Sequence, residues 1–509
     1  MFSLHKTRGG VHPPQCKDMR DFACTSITPP ERVLIPLNMH IGAPAKPVVS
    51  EGDHVYVGTL IGQVEGLGSP IHASVSGTVT KVATEQLPTG ATAPVVEIVS
   101  DGKMESDPEL KAPEYRTKEE FISCVRDSGM VGLGGASFPT WFKMRAPEGK
   151  SFEFLVVNGM ECEPYITSDY RQMMEHTERV IDGVFRTIEA LEIPAAVIGV
   201  EDNKPEAILE LQRVVKEKGR EDRIEVMSIP TKYPAGGEKV LIKATTGRDV
   251  PAGGLPIDVG CLVVNVTTIS RVEQYFRYGM PLTCKTVTVT GDCIAKPGNY
   301  RIPIGMSVRD VIEATGGMVK EPRKIIMGGP MMGRTITDID CPIIKANNAI
   351  VVLHDAAVLP DETACIRCGR CVRACPLSLS PFALDGASRS HDVVALDELA
   401  VMNCMECGSC AYVCPAHRRI TAAIREGKAV YRGEVARLTA PAKPAAPAKD
   451  PVVTVPPEQQ EKVAQDIEAS MAKIFDTPAE QPAAPASKSD VGDTRVFDQV
   501  KFGKDYEIE

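Results

Sequence analysis

Eight of the chain's 16 cysteines lie within 50 consecutive positions, in two runs of identical spacing. The first is Cys365-x-x-Cys368-x-x-Cys371-x-x-x-Cys375-Pro376, and the second is Cys404-x-x-Cys407-x-x-Cys410-x-x-x-Cys414-Pro415. No other feature constrains the fold as much, because three thiolates so closely spaced must curl the backbone around one centre. The spacing is that which wraps a [4Fe–4S] cubane. Structural zinc takes four ligands per site, usually as two separated CxxC pairs. A disulfide scaffold belongs to small secreted domains, not to a chain of 509 residues.

The runs resemble those of two-cluster ferredoxins, in which the fourth cysteine leaves its own loop and ligates the other cluster. One cluster is accordingly assigned to Cys365, Cys368, Cys371 and Cys414, and the other to Cys404, Cys407, Cys410 and Cys375. Gly369 and Gly408 fall inside the loops, where a side chain is expected to crowd the cubane. Two such clusters carry single electrons, and the remaining sequence is read for their source.

The net charge of −10 argues against a nucleic-acid partner, whose binding face would normally be basic. No apolar run approaches the roughly 18 residues that span a bilayer. The longest candidates, Phe154–Val157 and Cys261–Val266, are of strand length. The first 30 residues hold no apolar h-region, so no secretory signal is expected. The other eight cysteines, at 16, 24, 124, 162, 261, 284, 293 and 341, lack ligand spacing and read mostly as small buried residues. Free thiols and clusters together point to a reducing cytoplasm.

The expected class is multidomain, α/β and α+β, with material for about three to four domains. Residues 1–32 are an N-terminal segment. Residues 33–105 read as short strands broken by Gly and Pro, and resemble the barrel-sandwich hybrid of lipoyl and biotinyl carriers. Carriers need an acceptor Lys, and none stands between Lys46 and Lys81. The segment is therefore read as a docking or structural element. In residues 115–280, strands at Glu153–Val157, Ala195–Val200 and Ile224–Ile229 alternate with helices over Asp169–Leu191 and 204–218. Val180, Val184, Ile188 and Leu191 form one stripe of the first helix. That order implies a parallel α/β sheet covered on both faces. Residues 281–355, with a strand at Thr286–Thr290 and a helix at Val308–Ala314, resemble an SLBB β-grasp domain, expected only to pack between its neighbours. Residues 356–438 form the helical ferredoxin-like domain. Residues 439–509 are an Ala/Pro-rich, disordered tail with one candidate helix over 457–476.

A second chemical signal is Gly132-Leu133-Gly134-Gly135-Ala136-Ser137-Phe138-Pro139-Thr140. A glycine-rich loop before a helix exposes backbone N–H groups to phosphate oxygens. Three more motifs follow in order: Asn158-Gly159-Met160-Glu161-Cys162-Glu163-Pro164, Tyr233-Pro234-Ala235-Gly236-Gly237-Glu238 and Asn265-Val266-Thr267-Thr268. Together they resemble the FMN- and NADH-binding subunit of respiratory complex I. The resemblance implies that Gly132, Gly134, Gly135, Ala136, Phe138, Asn158, Glu161, Tyr233, Gly236, Asn265 and Thr268 bind FMN. It also implies that Lys143, Glu163 and Glu238 face the dinucleotide as catalytic groups. Three positions depart from that pattern: Leu133 replaces an Arg, Met160 an acid, and Gly237 the first of two Glu. A flavin between nicotinamide and cubane makes chemical sense, since it exchanges either one or two electrons.

Over about residues 1–438 the chain resembles the C subunit of the Rnf electron-transport complex. The resemblance rests on Gly9-Gly10-Val11-His12-Pro13-Pro14-x-x-Lys17, on Ile326-Met327-Gly328-Gly329-Pro330-Met331-Met332-Gly333, and on the domain order. It implies a ferredoxin:NAD oxidoreductase coupled to Na⁺ or H⁺ movement. The chain would be a peripheral NAD(H) module on the cytoplasmic face of the membrane, without membrane spans. Its partners would be the other subunits of the complex, an iron–sulfur subunit among them, with ferredoxin reached indirectly. Two other readings share these modules: a soluble NADH-dependent cobalamin reductase, and a non-catalytic electron-relay scaffold whose nucleotide site has decayed.

Overall fold

The computed structural model of the protein describes residues 2–88, 90–355 and 360–439. Residues up to Tyr431 belong to one compact unit, and all the sites below lie in it. The tail and the candidate helix over 457–476 lie outside the described residues.

Two small antiparallel sheets make the first layer. One runs in the order Arg32–Pro36, Thr92–Ser100, Gly77–Gln86, His54–Val55, and the other joins Lys46–Pro47, Leu60–Gln63 and Ile71–His72. Val33, Ile35, Ile61, Ile71, Val79, Val96 and Ile98 are buried in the core they share.

The nucleotide-type region is a four-stranded, all-parallel sheet. Its spatial order is Ile224–Ile229, Ala195–Glu201, Phe154–Gly159, Cys261–Asn265. Side chains alternate between its faces. Leu155, Val157, Ile198 and Leu262 enter the large core, while Val156, Val197 and Val263 pack with Leu241 and Ile242 of the helix Glu238–Thr246. Both faces are therefore covered, as a continuous apolar run in a parallel strand requires. The sheet reverses its winding between Phe154–Gly159 and Cys261–Asn265, and ligands of such sheets sit beyond the carboxyl ends at that switch point.

One expected helix is two. Residues 169–191 divide into Ser168–Glu175 and Thr177–Ala190, with His176 at φ −136° between them. The Thr177 hydroxyl donates to the Met173 carbonyl at 2.5 Å. That carbonyl is the acceptor the Thr177 N–H would use in a continuous helix, and such side-chain competition bends helices. The apolar stripe still packs, with Val180, Val184 and Ile188 fully buried.

A six-stranded mixed sheet follows, built from Cys284–Thr290, Gly298–Pro303, Lys324–Met327, Arg334–Ile336 and Ala349–Leu353. Its sixth strand, Thr25–Ser26, comes from the N-terminal segment and pairs in parallel with Tyr300–Arg301. Short helices carry the cysteine runs: Arg370–Ala374, Pro381–Arg389, Val393–Glu398, Ser409–Tyr412 and the start of Ile420–Thr439.

Candidate functional site

At the carboxyl ends of the two strands at the switch point, Asn158 and Asn265 stand opposite each other in the register. The glycine loop lies against them. The Asn265 side-chain oxygen caps the helix Val266–Tyr278 by accepting from the Thr267 and Thr268 N–H groups, while its Nδ2 donates to Asp169 at 2.8 Å. Thr268 Oγ1 accepts from the Leu133 N–H at 2.9 Å, and the buried Lys285 ammonium donates to the Leu133 carbonyl at 2.9 Å. A Cβ at Gly134 would stand 2.6 Å from Asn265 Nδ2, so no other residue lets the loop close there. At Gly135 a Cβ would meet nothing within 4 Å, which leaves the crest of the loop open. Ser137 Oγ and Thr140 Oγ1 are buried beside it without a hydrogen-bond partner. An open glycine crest with two unsatisfied hydroxyls fits a phosphate-bearing group. Phe138 stands edge-on to Phe142, 5.8 Å between ring centres.

The remaining motif residues divide between the glycine-loop side and the cysteine side. Asn158 Nδ2 donates to the Gly236 carbonyl at 2.8 Å, and a Cβ at Gly236 would press on Cys162 and Met160 at 3.2 Å. Lys143 and Glu238 pair at 2.6 Å, both partly exposed. Glu161 has partners within the chain. Its carboxylate accepts from the Asp169 and Tyr170 N–H groups and so caps the helix Ser168–Glu175. Glu163 is met by another domain: its Oε2 accepts from Met331 N–H at 2.9 Å and lies where a side chain at Gly329 would be. Burial pushes both carboxyls up to about 7. Tyr233 is buried and donates to the Cys407 carbonyl at 2.7 Å.

Each departure from the complex I pattern has a packing cause. Leu133 is buried in the main core, where an Arg would be desolvated without a partner. Met160 is fully buried among Val156, Ile229 and Leu241, a poor place for an acid. At Gly237 a Cβ would lie 2.2 Å from Met405 Cε, a side chain of the second cysteine run.

The cysteines surround two separate hollows. Cys365, Cys368, Cys371 and Cys414 line one, and Cys375, Cys404, Cys407 and Cys410 line the other. No group of three or more His, Cys, Asp or Glu side chains among the described residues is gathered closely enough for a single metal ion. Thiols set around a hollow suit a cluster several atoms across. The two loops repeat one geometry. Arg367 and Glu406 have φ of +53° and +56°, and their N–H groups lie 3.4 Å from Cys365 Sγ and Cys404 Sγ. Gly369 and Gly408 follow at φ +72° and +82°. That left-handed backbone is by itself a reason for glycine at both positions. Cys365 and Cys368 are exposed, whereas Cys407 and Cys410 are buried. Of the other eight cysteines four are buried and four half-buried.

Family models match four segments: an RnfC barrel sandwich hybrid domain over residues 5–103, a Nuo51 FMN-binding domain over 125–274, an SLBB domain over 286–335, and a 4Fe-4S dicluster domain over 357–415. The chain is 40% identical over 387 residues to the C subunit of the proton-translocating ferredoxin:NAD(+) oxidoreductase complex of Clostridium ljungdahlii, covering 75% of this chain and 84% of that protein. The chain belongs to the family of Rnf complex C subunits. The C subunit of the Na(+)-translocating complex of Acetobacterium woodii is 41% identical, over 74% of this chain and 85% of that protein. The C subunit of the ion-translocating oxidoreductase complex of Rhodobacter capsulatus is 38% identical, over 78% of this chain and 77% of that protein. Relatives of near-equal identity are thus named for different ions. FMN and two [4Fe–4S] clusters are the cofactors of this domain set, and the residues above fit both. No helix among the described residues is long and apolar enough to cross a membrane.

Proposed function

We propose that this chain is the NAD(H) module of an Rnf-type ferredoxin:NAD oxidoreductase complex, held at the cytoplasmic face of the membrane by its partner subunits. The observation that supports this most is the seam between the switch-point site and the inner cysteine hollow. Tyr233 and Gly237 flank the Asn158–Gly236 contact, and they meet Cys407 and Met405 directly.

In this reading the N–H groups of residues 134–137 and the hydroxyls of Ser137 and Thr140 hold the FMN phosphate. Asn158, Gly236, Asn265 and Thr268 shape the site, and Lys143 with Glu238 receives the dinucleotide. Bound FMN supplies the conversion between hydride and single-electron chemistry. The set Cys375, Cys404, Cys407 and Cys410 is the inner cluster site. The set Cys365, Cys368, Cys371 and Cys414, of which Cys365 and Cys368 are exposed, is the outer one, facing an iron–sulfur subunit, with ferredoxin reached indirectly. The domain limits read from the sequence stand within this proposal, with residues 1–32 serving the domains that follow.

Anaerobic titration of the reconstituted protein with NADH, followed by absorbance and EPR, tests it. The expected result is about eight irons per chain, set by the two-cluster motif, with flavin and clusters both reduced. A folded preparation that holds no flavin, or whose clusters stay oxidised under NADH, overturns it.

A further inference from the structure

The motif Gly9-Gly10-Val11-His12-Pro13-Pro14, with Lys17, has no part in either site, yet it touches both. At one end, a Cβ at Gly9 would stand 2.4 Å from the carbonyl oxygen of Cys375, and the Gly10 N–H donates to the Ala374 carbonyl at 2.8 Å. Both glycines have positive φ, +55° and +88°. In the middle, Val11 and Tyr233 exchange two backbone hydrogen bonds, at 2.7 and 2.9 Å. At the other end, the Lys17 ammonium donates to the carbonyls of Glu161, Glu163 and Ile166 at 2.7, 2.6 and 2.6 Å.

That last contact explains a strained turn. Glu161 and Tyr165 hold left-handed backbone, φ +47° and +69°, which side chains other than glycine rarely adopt. The turn points three carbonyls at one spot. An ammonium has three donors, and Lys17 directs all of them there. The Gln15 carbonyl adds a fourth tie, accepting from Tyr165 N–H at 2.9 Å. Opposite, Lys204 donates to the Met160 carbonyl at 2.8 Å.

We propose that residues 9–17 are a spacer fixing the separation between the turn at 161–166, which follows Asn158 of the proposed flavin site, and the inner cysteine hollow. Lys17 is the positioning residue for the turn, and Gly9 is the positioning residue for Cys375. The proposal rests on the flavin and cluster reading given above. Its physical basis is that electron tunnelling falls off exponentially with separation, so a strap that grips both centres sets the rate between them.

The test mixes the full-length reconstituted protein anaerobically with NADH and follows flavin and cluster bleaching as separate phases. If neither phase occurs in the unmodified protein, the flavin and cluster reading itself fails. If both occur, the strap is tested by its variants. Gly9→Ala is expected to slow the cluster phase about tenfold and leave the flavin phase as it was, because only the later step is displaced. Lys17→Met is expected to slow the flavin phase about tenfold and raise KM for NADH. Hydrogen exchange on the same variants serves as a readout without turnover. Exchange should rise over residues 160–166 in Lys17→Met and over 372–378 in Gly9→Ala. Equal slowing of both phases in both variants, or exchange raised across the whole chain, overturns the proposal.

Discussion

The Tyr233 hydroxyl donates to the Cys407 carbonyl at 2.7 Å, joining the third nucleotide motif to the second cysteine run. The bond is buried, so its loss leaves the carbonyl without a partner. Tyr233→Phe should lower unfolding stability by about 1–3 kcal/mol, the cost of an unsatisfied buried group. Denaturant titration of the holoprotein measures it, and an unchanged midpoint would show that the bond holds nothing together.

Gly237 and Met405 make a steric pair that can be tested in both directions. Gly237→Glu restores the acid of the complex I pattern but drives its Cβ into Met405. Overpacking of this kind costs about 1–3 kcal/mol, and the variant should lose stability together with cluster content. Met405→Ala in the same chain opens the space and should restore both. Failure of that rescue would mean that Gly237 is required for another reason.

The crossed arrangement of the fourth cysteines predicts an asymmetric loss. Cys375 lines the hollow of Cys404, Cys407 and Cys410. Cys375→Ala should therefore impair the inner cluster and leave the outer one, halving the iron to about four per chain on the two-cluster count. Cys414→Ala should do the opposite. EPR of the reduced variants distinguishes the two sites, and loss of the outer signal in Cys375→Ala would reverse the assignment.

Glu163 makes stability depend on pH. Burial raises its carboxyl to about 7, against help from the Met331 and Met332 N–H groups and from Lys17. The folded chain thus holds a proton that the unfolded chain gives up near pH 4.5. This contribution to stability is complete below that pH, falls as pH rises towards 7, and is flat above it. The slope is on the order of 1 kcal/mol per pH unit. Glu163→Gln should reduce the slope between about pH 5 and 7, the interval separating the unfolded and folded values, and leave the contribution of Glu161, as measured by chemical denaturation. An identical slope in the variant would assign the effect to Glu161, which burial also raises to about 7.

What could be read from the sequence was whatever is local. Cysteine spacing sets its own loops, and the helix Val308–Ala314 forms over the residues its pattern indicates. The strand at Ile224–Ile229 also keeps its expected bounds. The break at His176 was hidden, because apolar periodicity runs on through a hydroxyl that takes its own helix's acceptor. The partners of Glu163 and Tyr233 were hidden too, since they lie 168 and 174 residues away in other domains. For the same reason Leu133, Met160 and Gly237 looked like damage to a nucleotide site. Each is instead fitted to neighbours that only the folded chain brings near.

The strap also sets a timetable for synthesis. Gly9 and Gly10 rest on Ala374 and Cys375, and Thr25–Ser26 completes a sheet with Tyr300–Arg301. At roughly 5–20 residues per second, the first residues off the ribosome wait some tens of seconds for their final partners. The parallel sheet at 154–265 can assemble in that interval, and the turn at 161–166 gains its contact with the Met331 N–H only later, through Glu163. The contacts of Gly9 and Gly10 are thereby placed late, after the first cysteine run has emerged.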